Sequence, residues 1–313
     1  MSRFSEAFPP TPTFPVELIP DLAGKVYIVT GGSVGVGYET TKVLYQKSAT
    51  VYIAGRSKEN GEKAIESIKA EFPSSTGKIH FLQLDLGDLQ GIKASAAEFL
   101  QKERRLDVLW LNAGIMTPPA GTITTQGYEV QLGTNVLGHF LFTKNLTPIL
   151  AETAKIAPTG SVRVVFVSSS AHHFAPANGG IKWDDMNFKN GGSAWEIYGQ
   201  SKAGGILLGY EFAKRFADTG VIAVSLNPGN LKSNLQRHLS CVTRTVMNAI
   251  LYHASFGGLT ELFGGLSPEI TPKHNGAYLI PWGRFGTVRQ DIVDADTGRF
   301  WEWCEDQVRE YNV

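Results

Sequence analysis

The sequence predicts an α/β fold with a doubly wound, mostly parallel sheet and helices on both faces. Three observations point there. Short runs rich in Val and Ile alternate with amphipathic stretches of helix length, which is the pattern of repeated βαβ units. The runs mostly lack polar alternation, as strands buried on both faces do. The first run leads without a break into a glycine-rich turn and then a helix.

In chain order, residues 25–29, 50–54, 79–84, 108–111, 162–167 and 221–226 read as six strands, with a short seventh over 277–280 after a long irregular stretch. Helices are expected over 35–47, 58–72, 89–104, 127–152 and 194–216. The length of 313 residues alone would suggest two domains. No linker, composition break or internal repeat separates the units, however, so one domain over 22–313 is expected, after an extended arm over 1–21 carrying Pro9, Pro10, Pro12, Pro15 and Pro20.

Charge and composition narrow the function classes. The 29 Lys and Arg balance 29 Asp and Glu, which leaves no field to hold nucleic acid or an anionic membrane. The start has no basic segment followed by an apolar run and does not read as a secretory signal. The apolar stretch 249–265 is broken by His253, Glu261 and two Gly-Gly pairs, so no spanning helix is expected. It packs as a lid, on the protein's own core, or on a membrane surface. Two cysteines, Cys241 and Cys304, suit a reducing, cytoplasmic setting and small buried side chains.

The turn after the first strand is Thr30-Gly31-Gly32-Ser33-Val34-Gly35-Val36-Gly37. Glycines there let a diphosphate approach the amides at a helix N-terminus, which side chains would block. The spacing is G-x-x-x-G-x-G, with Ser33 and Val36 between the glycines, and its place after the first buried strand points to a dinucleotide. Cofactor choice falls at the end of the second strand, where a carboxylate would hold the ribose of NAD. Gly55 stands there, followed by Arg56 and nearby Lys58. A guanidinium grips a phosphate bidentately, so NADP(H) is favoured.

Further on, Tyr198-Gly199-Gln200-Ser201-Lys202 sets a phenol and an ammonium on one helix face. A nearby cation favours the phenolate and so makes proton exchange easier. The fifth strand ends in Ser168-Ser169-Ser170 at the carboxyl edge of the sheet, where open α/β folds bind ligands and a hydroxyl can hold a substrate oxygen.

With these residues in order, and with Asp85, Asn112-Ala113-Gly114, Asn135 and Asn227-Pro228-Gly229, the chain over about 22–233 resembles the short-chain dehydrogenase/reductase family. The run Val165 to His173 is similar to the retinol dehydrogenase and WW-domain oxidoreductase branch, and the ending Asn275 to Gly283 is similar to its fungal members. The resemblance implies a Rossmann-type fold and a role for each matched position. Tyr198 would be the general acid or base, Lys202 would lower its pKa and hold the nicotinamide ribose, and Ser169 would hold the carbonyl, with Ser168 and Ser170 as alternative registers. Asn135 would hold a water joining Lys202 to solvent. Gly31, Ser33, Gly35, Val36, Gly37 and Arg56 would bind the phosphates, and Asp85 and Leu86 the adenine. Asn112, Ala113 and Gly114 would support the cofactor, and Pro228, Gly229, Leu231 and Ser233 would meet the nicotinamide end. Trp110-Leu111 before Asn112, Asn227 before Pro228, and Ser233 in place of threonine depart from the family pattern.

The expected reaction interconverts a carbonyl and an alcohol on a small molecule through NADP(H), without a metal. The insertion 171–193 carries His172, His173, Phe174 and Trp183, and Trp195 follows. With residues 116–120 and the lid and extension over 234–313, these either wall a pocket for an apolar retinoid-, steroid- or polyketide-like compound or simply pack. A paired role for His172 and His173 as a second acid is the weaker reading. Two other functions stay open: an NADP(H)-sensing regulator without turnover, and reduction of a conjugated double bond. Homodimerisation also stays open.

Overall fold

The computed structural model describes residues 3–232 and 251–311. Among them, eight strands form one sheet in the order β3-β2-β1-β4-β5-β6-β7-β8. Strands β1 (Val26–Thr30), β2 (Thr50–Gly55), β3 (Lys78–Gln83), β4 (Val108–Leu111), β5 (Arg163–Val167), β6 (Ile222–Leu226) and β7 (Tyr278–Ile280) run parallel. β8 (Arg284–Phe285) pairs antiparallel with β7. The helices are α1 (Arg3–Ala7), α2 (Gly35–Gln46), α3 (Lys58–Glu71), α4 (Leu89–Lys102), α5 (Val130–Leu132), α6 (His139–Ile156), α7 (Ala194–Arg215), α8 (Ala254–Leu266), α9 (Gln290–Val293) and α10 (Thr297–Val308).

Side chains alternate across the sheet, and each face has its own core. On β4, Leu109 and Leu111 join Ile92 of α4, Phe142 of α6 and Ile206 of α7. Val108 and Trp110 point the other way, to Leu44 of α2 and Phe263 of α8. Every β4 residue is therefore buried, which is why the strand reads as an unbroken apolar run. Each such side chain contributes roughly 1.5–3 kcal/mol. The order of connection reverses between β1 and β4, and a doubly wound sheet opens a crevice at its carboxyl edge at that point.

The structure corrects four expectations. The proline-rich start is not simply extended: it holds α1 and a 3-10 turn at Val16–Leu18. Phe14, Ile19 and Leu22 sink into the second core, and Thr13 donates to the Gly283 carbonyl at 2.7 Å. Its apolar residues, spaced between prolines, gain more from burial than from solvent. The helix expected over 127–152 begins at Val130, widens into a π-turn at Gly133–Gly138 and continues as α6 to Ile156. A Cβ on Gly138 would stand 2.3 Å from the Leu86 carbonyl, so glycine permits that close approach.

β8 was not expected. Trp282 (φ 89°) and Gly283 (φ 83°) form a tight left-handed turn between β7 and β8, and tryptophan gives little sequence signal for such a conformation. The membrane-surface reading of 249–265 fails for its described part. Glu261, Leu262 and Phe263 of α8 are all but fully buried, and α8 lies across α2 and the sheet. Among the described residues, no helix is long and apolar enough to cross a membrane. Ser233, Cys241 and the rest of 233–250 lie outside the described residues.

Candidate active site

Four strand ends build a groove of about 270 Å³ along the carboxyl edge of the sheet. β1 contributes Gly31, Ser33, Gly35 and Val36 through its loop. β2 contributes Gly55 and Arg56, β3 Asp85 and Leu86, and β4 Asn112, Ala113 and Gly114. The groove suits a dinucleotide on three observations. No side chain caps the N-terminus of α2, so its first amides face the groove unblocked, as an anion requires. Gly31 takes φ 67°, and a Cβ there would press to 3.0 Å on the Ala113 backbone. A Cβ on Gly55 meets nothing within 4 Å, which leaves room beside Arg56.

Gly37, expected in the same loop, does not line the groove. It is buried below it, where a Cβ would lie 2.4 Å from the Asn112 amide nitrogen and 2.7 Å from the Gly31 carbonyl. Its glycine serves helix-to-strand packing. Asn112 donates to the Thr30 carbonyl at 2.7 Å, and the Thr30 hydroxyl accepts from the Ala113 amide at 3.0 Å. Thr30 also meets His139 at 3.0 Å, and burial depresses that imidazole to about 3. A neutral histidine thus ties β1 to α6. Sequence reading missed His139 because it carries no motif.

A second cavity, also about 270 Å³, shares Val36, Asn112 and Gly114 with the groove. Ser169, Tyr198, Lys202, Pro228, Gly229 and Leu231 meet there. The helix α7 is started by Ser193, whose hydroxyl accepts the Glu196 amide hydrogen at 3.1 Å. It carries Tyr198 and Lys202 one turn apart, both buried, with the Lys202 ammonium 5.6 Å from the tyrosine ring centre. Lys202 donates to the Val167 carbonyl at 3.0 Å.

The three serines separate. Ser168 is buried and donates to the Lys202 carbonyl at 2.8 Å. Ser169 starts the turn after β5, accepting the Ala171 amide hydrogen at 3.1 Å, and its hydroxyl lies beside Tyr198, where it favours the ionised phenol. Ser170 lines the cavity farther out.

Asn135 sits in the π-turn, directly behind Gly114, a residue that lines both cavities. Its side chain accepts from the Ile115 amide at 2.8 Å and donates to the Ile115 carbonyl and to Ser201, each at 3.0 Å. It therefore locks the loop after β4 to α7. π-turns concentrate at functional sites.

Burial dominates the electrostatics. It raises the Tyr198 phenol well above its ordinary value, opposed by the Ser169 hydroxyl. Burial lowers Lys202 to about 8, opposed by the Glu261 carboxylate. Desolvation of the phenol therefore outweighs the effect expected of the lysine.

The aromatic side chains expected around the pocket divide. Met116, Phe174 and Trp195 line the cavity. Trp183 instead packs edge-on against Phe300, with the Arg299 guanidinium 3.9 Å from its ring centre. His172 and His173 lie ring on ring at 4.1 Å, and His172 Nδ1 sits 2.8 Å from the Ser169 carbonyl. Arg289, unnoticed in sequence, donates to the His172, His173 and Ala175 carbonyls and pairs with Asp291. Ser57, Asn60 and Thr134 in the groove, and Asn230 and Leu251 in the second cavity, were missed as well. Asn60 was the one in reach, because it stands in the first turn of α3 just past Arg56.

The sequence profile of the short chain dehydrogenase family matches residues 25–181, half of the chain. A short-chain dehydrogenase/reductase from Phomopsis amygdali is 44% identical over 99% of this chain and 97% of its own length. One from Armillaria gallica is 42% identical over 99% and 98%. An uncharacterised protein from Mycobacterium paratuberculosis superposes with a TM-score of 0.70 at 28% identity, covering 96% of this chain and 98% of its own. The Pseudomonas aeruginosa RhlG/NADP complex shares the fold, with a TM-score of 0.58 at 23% identity over 83% and 95%. The chain belongs to the short-chain dehydrogenase/reductase family, a family of oxidoreductases.

Proposed function

We propose that the chain is an NADP(H)-dependent oxidoreductase that interconverts a carbonyl and an alcohol on an apolar or aromatic small molecule. The observation carrying this reading is the meeting of Ser169, Tyr198 and Lys202 in a cavity that shares a wall with the Gly31–Arg56 groove. The dinucleotide, when bound, supplies or accepts the hydride.

In the reducing direction, Ser169 and Tyr198 donate hydrogen bonds to the carbonyl oxygen and stabilise the charge it gains. Tyr198 then passes its phenolic proton to that oxygen and completes the alcohol. Burial keeps the phenol protonated until the oxygen becomes basic enough to take the proton. The phenolate left behind is stabilised by the Lys202 ammonium. With Lys202 depressed to about 8, that ammonium is present below this pH and is lost above it. Asn135 positions both halves of the site through Ile115 and Ser201. Arg56, beside the open Gly55, would hold a 2′-phosphate. Phe174, Trp195 and Met116 supply the apolar walls.

Replacing Tyr198 by Phe keeps the ring and removes the proton. The rate of NADPH oxidation with an activated ketone is expected to fall about 10²–10⁴-fold, with NADPH affinity unchanged by fluorescence titration. A Phe variant as fast as the parent would overturn the reading.

A further inference from the structure

A column of buried polar side chains runs through the molecule from the floor of the dinucleotide groove to the helix of the proton donor. Its members are Thr30 of β1, His139 at the start of α6, Asn135 in the π-turn and Ser201 of α7, all buried. At the groove end, the Thr30 carbonyl accepts from Asn112 and its hydroxyl accepts from the Ala113 amide, and both of those residues line the groove. At the other end, Ser201 donates to the Tyr198 carbonyl at 2.8 Å. His139 is the one member that joins the two halves.

The protons along the column can be placed one by one. The Asn135 backbone carbonyl can only accept, and His139 Nδ1 lies 3.1 Å from it, so Nδ1 carries the ring hydrogen. Burial holds the ring neutral, at about 3, which leaves Nε2 with a lone pair and no hydrogen. The Thr30 hydroxyl, 3.0 Å away, is the donor that nitrogen has among the described residues. Thr30 therefore gives its hydrogen to the ring in preference to the Trp110 carbonyl at 3.2 Å, because a buried nitrogen left bare is costly. Ser201 has given its own hydrogen to Tyr198, so it accepts from the Asn135 side-chain amide at 3.0 Å. All the bonds run in one consistent direction on each side of the imidazole.

We infer that His139 is a positioning residue for the reaction, whose single ring holds the cofactor-supporting ends of β1 and β4 in register with the helix that carries Tyr198. The inference deepens the carbonyl–alcohol reading and rests on it for what Tyr198 does. Hydride reaches the carbonyl carbon from the groove side, and the proton reaches its oxygen from α7. A small shift between those two supports therefore costs rate without touching substrate or dinucleotide. Imidazole suits the place because one rigid ring offers a donor and an acceptor to two different elements. An asparagine there would reach the carbonyl four residues back, as Asn145 does to Leu141 at 2.8 Å, and would leave Thr30 without the ring.

His139→Asn, Thr30→Val and the double variant are compared with the parent in steady-state reduction of an activated ketone by NADPH. His139→Asn is expected to lower kcat by about 10–100-fold, with KM for the ketone changed by less than about threefold. The double variant is expected to be no slower than Thr30→Val, because both substitutions break the same bond. A His139→Asn kcat equal to the parent's, or losses that multiply in the double variant, overturns the inference and leaves the carbonyl reading standing. The second arm needs no variant: ¹⁵N NMR of the full chain, with the His139 ring assigned by through-bond correlation, reads the tautomer directly. A neutral ring with its hydrogen on Nδ1 is expected at neutral pH, and NADP⁺ is expected to shift both ring nitrogens. A hydrogen on Nε2, or signals that NADP⁺ leaves unmoved, overturns the inference whether or not the variants fold. If the parent turns over no ketone, the carbonyl reading falls, and the tautomer with its NADP⁺ response still decides whether the column joins the groove to α7.

Discussion

Ser168, Ser169 and Ser170 have the same side chain and end in three different surroundings. One hydroxyl is consumed by the Lys202 backbone, one sits beside Tyr198, and one lines the cavity farther out. Sequence could bring all three to the end of β5, since a run of buried residues ending in hydroxyls marks a strand reaching the sheet edge. The local pattern could not choose among them, because the choice depends on where α7 crosses; only the family resemblance put Ser169 first. The place of Arg56 in the groove was legible for a different reason: the residue after the second strand stands at a known distance from the glycine loop. Arg56→Ala is expected to weaken NADPH by about 10–100-fold, the size of a lost charge-assisted pair, and NADH by less than threefold. Isothermal titration with both nucleotides checks this, and equal losses would move the 2′-phosphate elsewhere.

Among the elements, the regular helices were readable from periodicity and caps, and the irregular ones were not. The helix α3 follows Ser57, whose hydroxyl takes the Asn60 amide hydrogen at 3.2 Å. The π-turn at Gly133–Gly138 has no periodic signature, because it answers to packing against the Leu86 backbone and to the bonds of Asn135. The helix α8 shows the same limit. Its high apolar content allowed a membrane surface, yet its glycines mark close contact inside the protein. A Cβ on Gly265 would lie 2.0 Å from the Trp110 ring, and that ring is held by a bond from its Nε1 to the Glu261 carbonyl at 2.9 Å. Gly265→Ala is therefore expected to destabilise the fold by about 1–3 kcal/mol through overpacking. A Tm by circular dichroism equal to that of the parent would show that Trp110 has room to move.

Across the whole molecule, a carboxyl group is buried between the first and last parts of the chain. Glu261 of α8 accepts from Thr40 of α2 at 2.6 Å, and burial raises it from 4.5 to about 8. The folded protein thus keeps a proton that the unfolded chain releases above about pH 4.5. The stability this group contributes is complete below that pH and is lost as pH rises through about 8. Glu261→Gln removes the proton and its pH dependence. Its stability relative to the parent is expected to climb between pH 5 and pH 8, by an amount on the order of 1–3 kcal/mol, read as a rising Tm difference. Parallel Tm curves across that range would place the carboxylate in a more polar setting.

By itself the sequence determined the parallel sheet, its helices and the order in which Gly31, Arg56, Ser169, Tyr198 and Lys202 come along it. Those features follow from local rules: which residues bury on both faces, where glycine clears a helix N-terminus, and which spacing shares a helix face. Tertiary structure alone decided that Gly37 packs rather than lines the groove, that Trp183 leaves the pocket, and that Glu6 and Ala7 line a neighbouring cavity. These outcomes depend on contacts between segments far apart in the chain, such as Glu6 with Asn227. No local pattern encodes such contacts, because their energy exists only once the sheet has brought its two ends together.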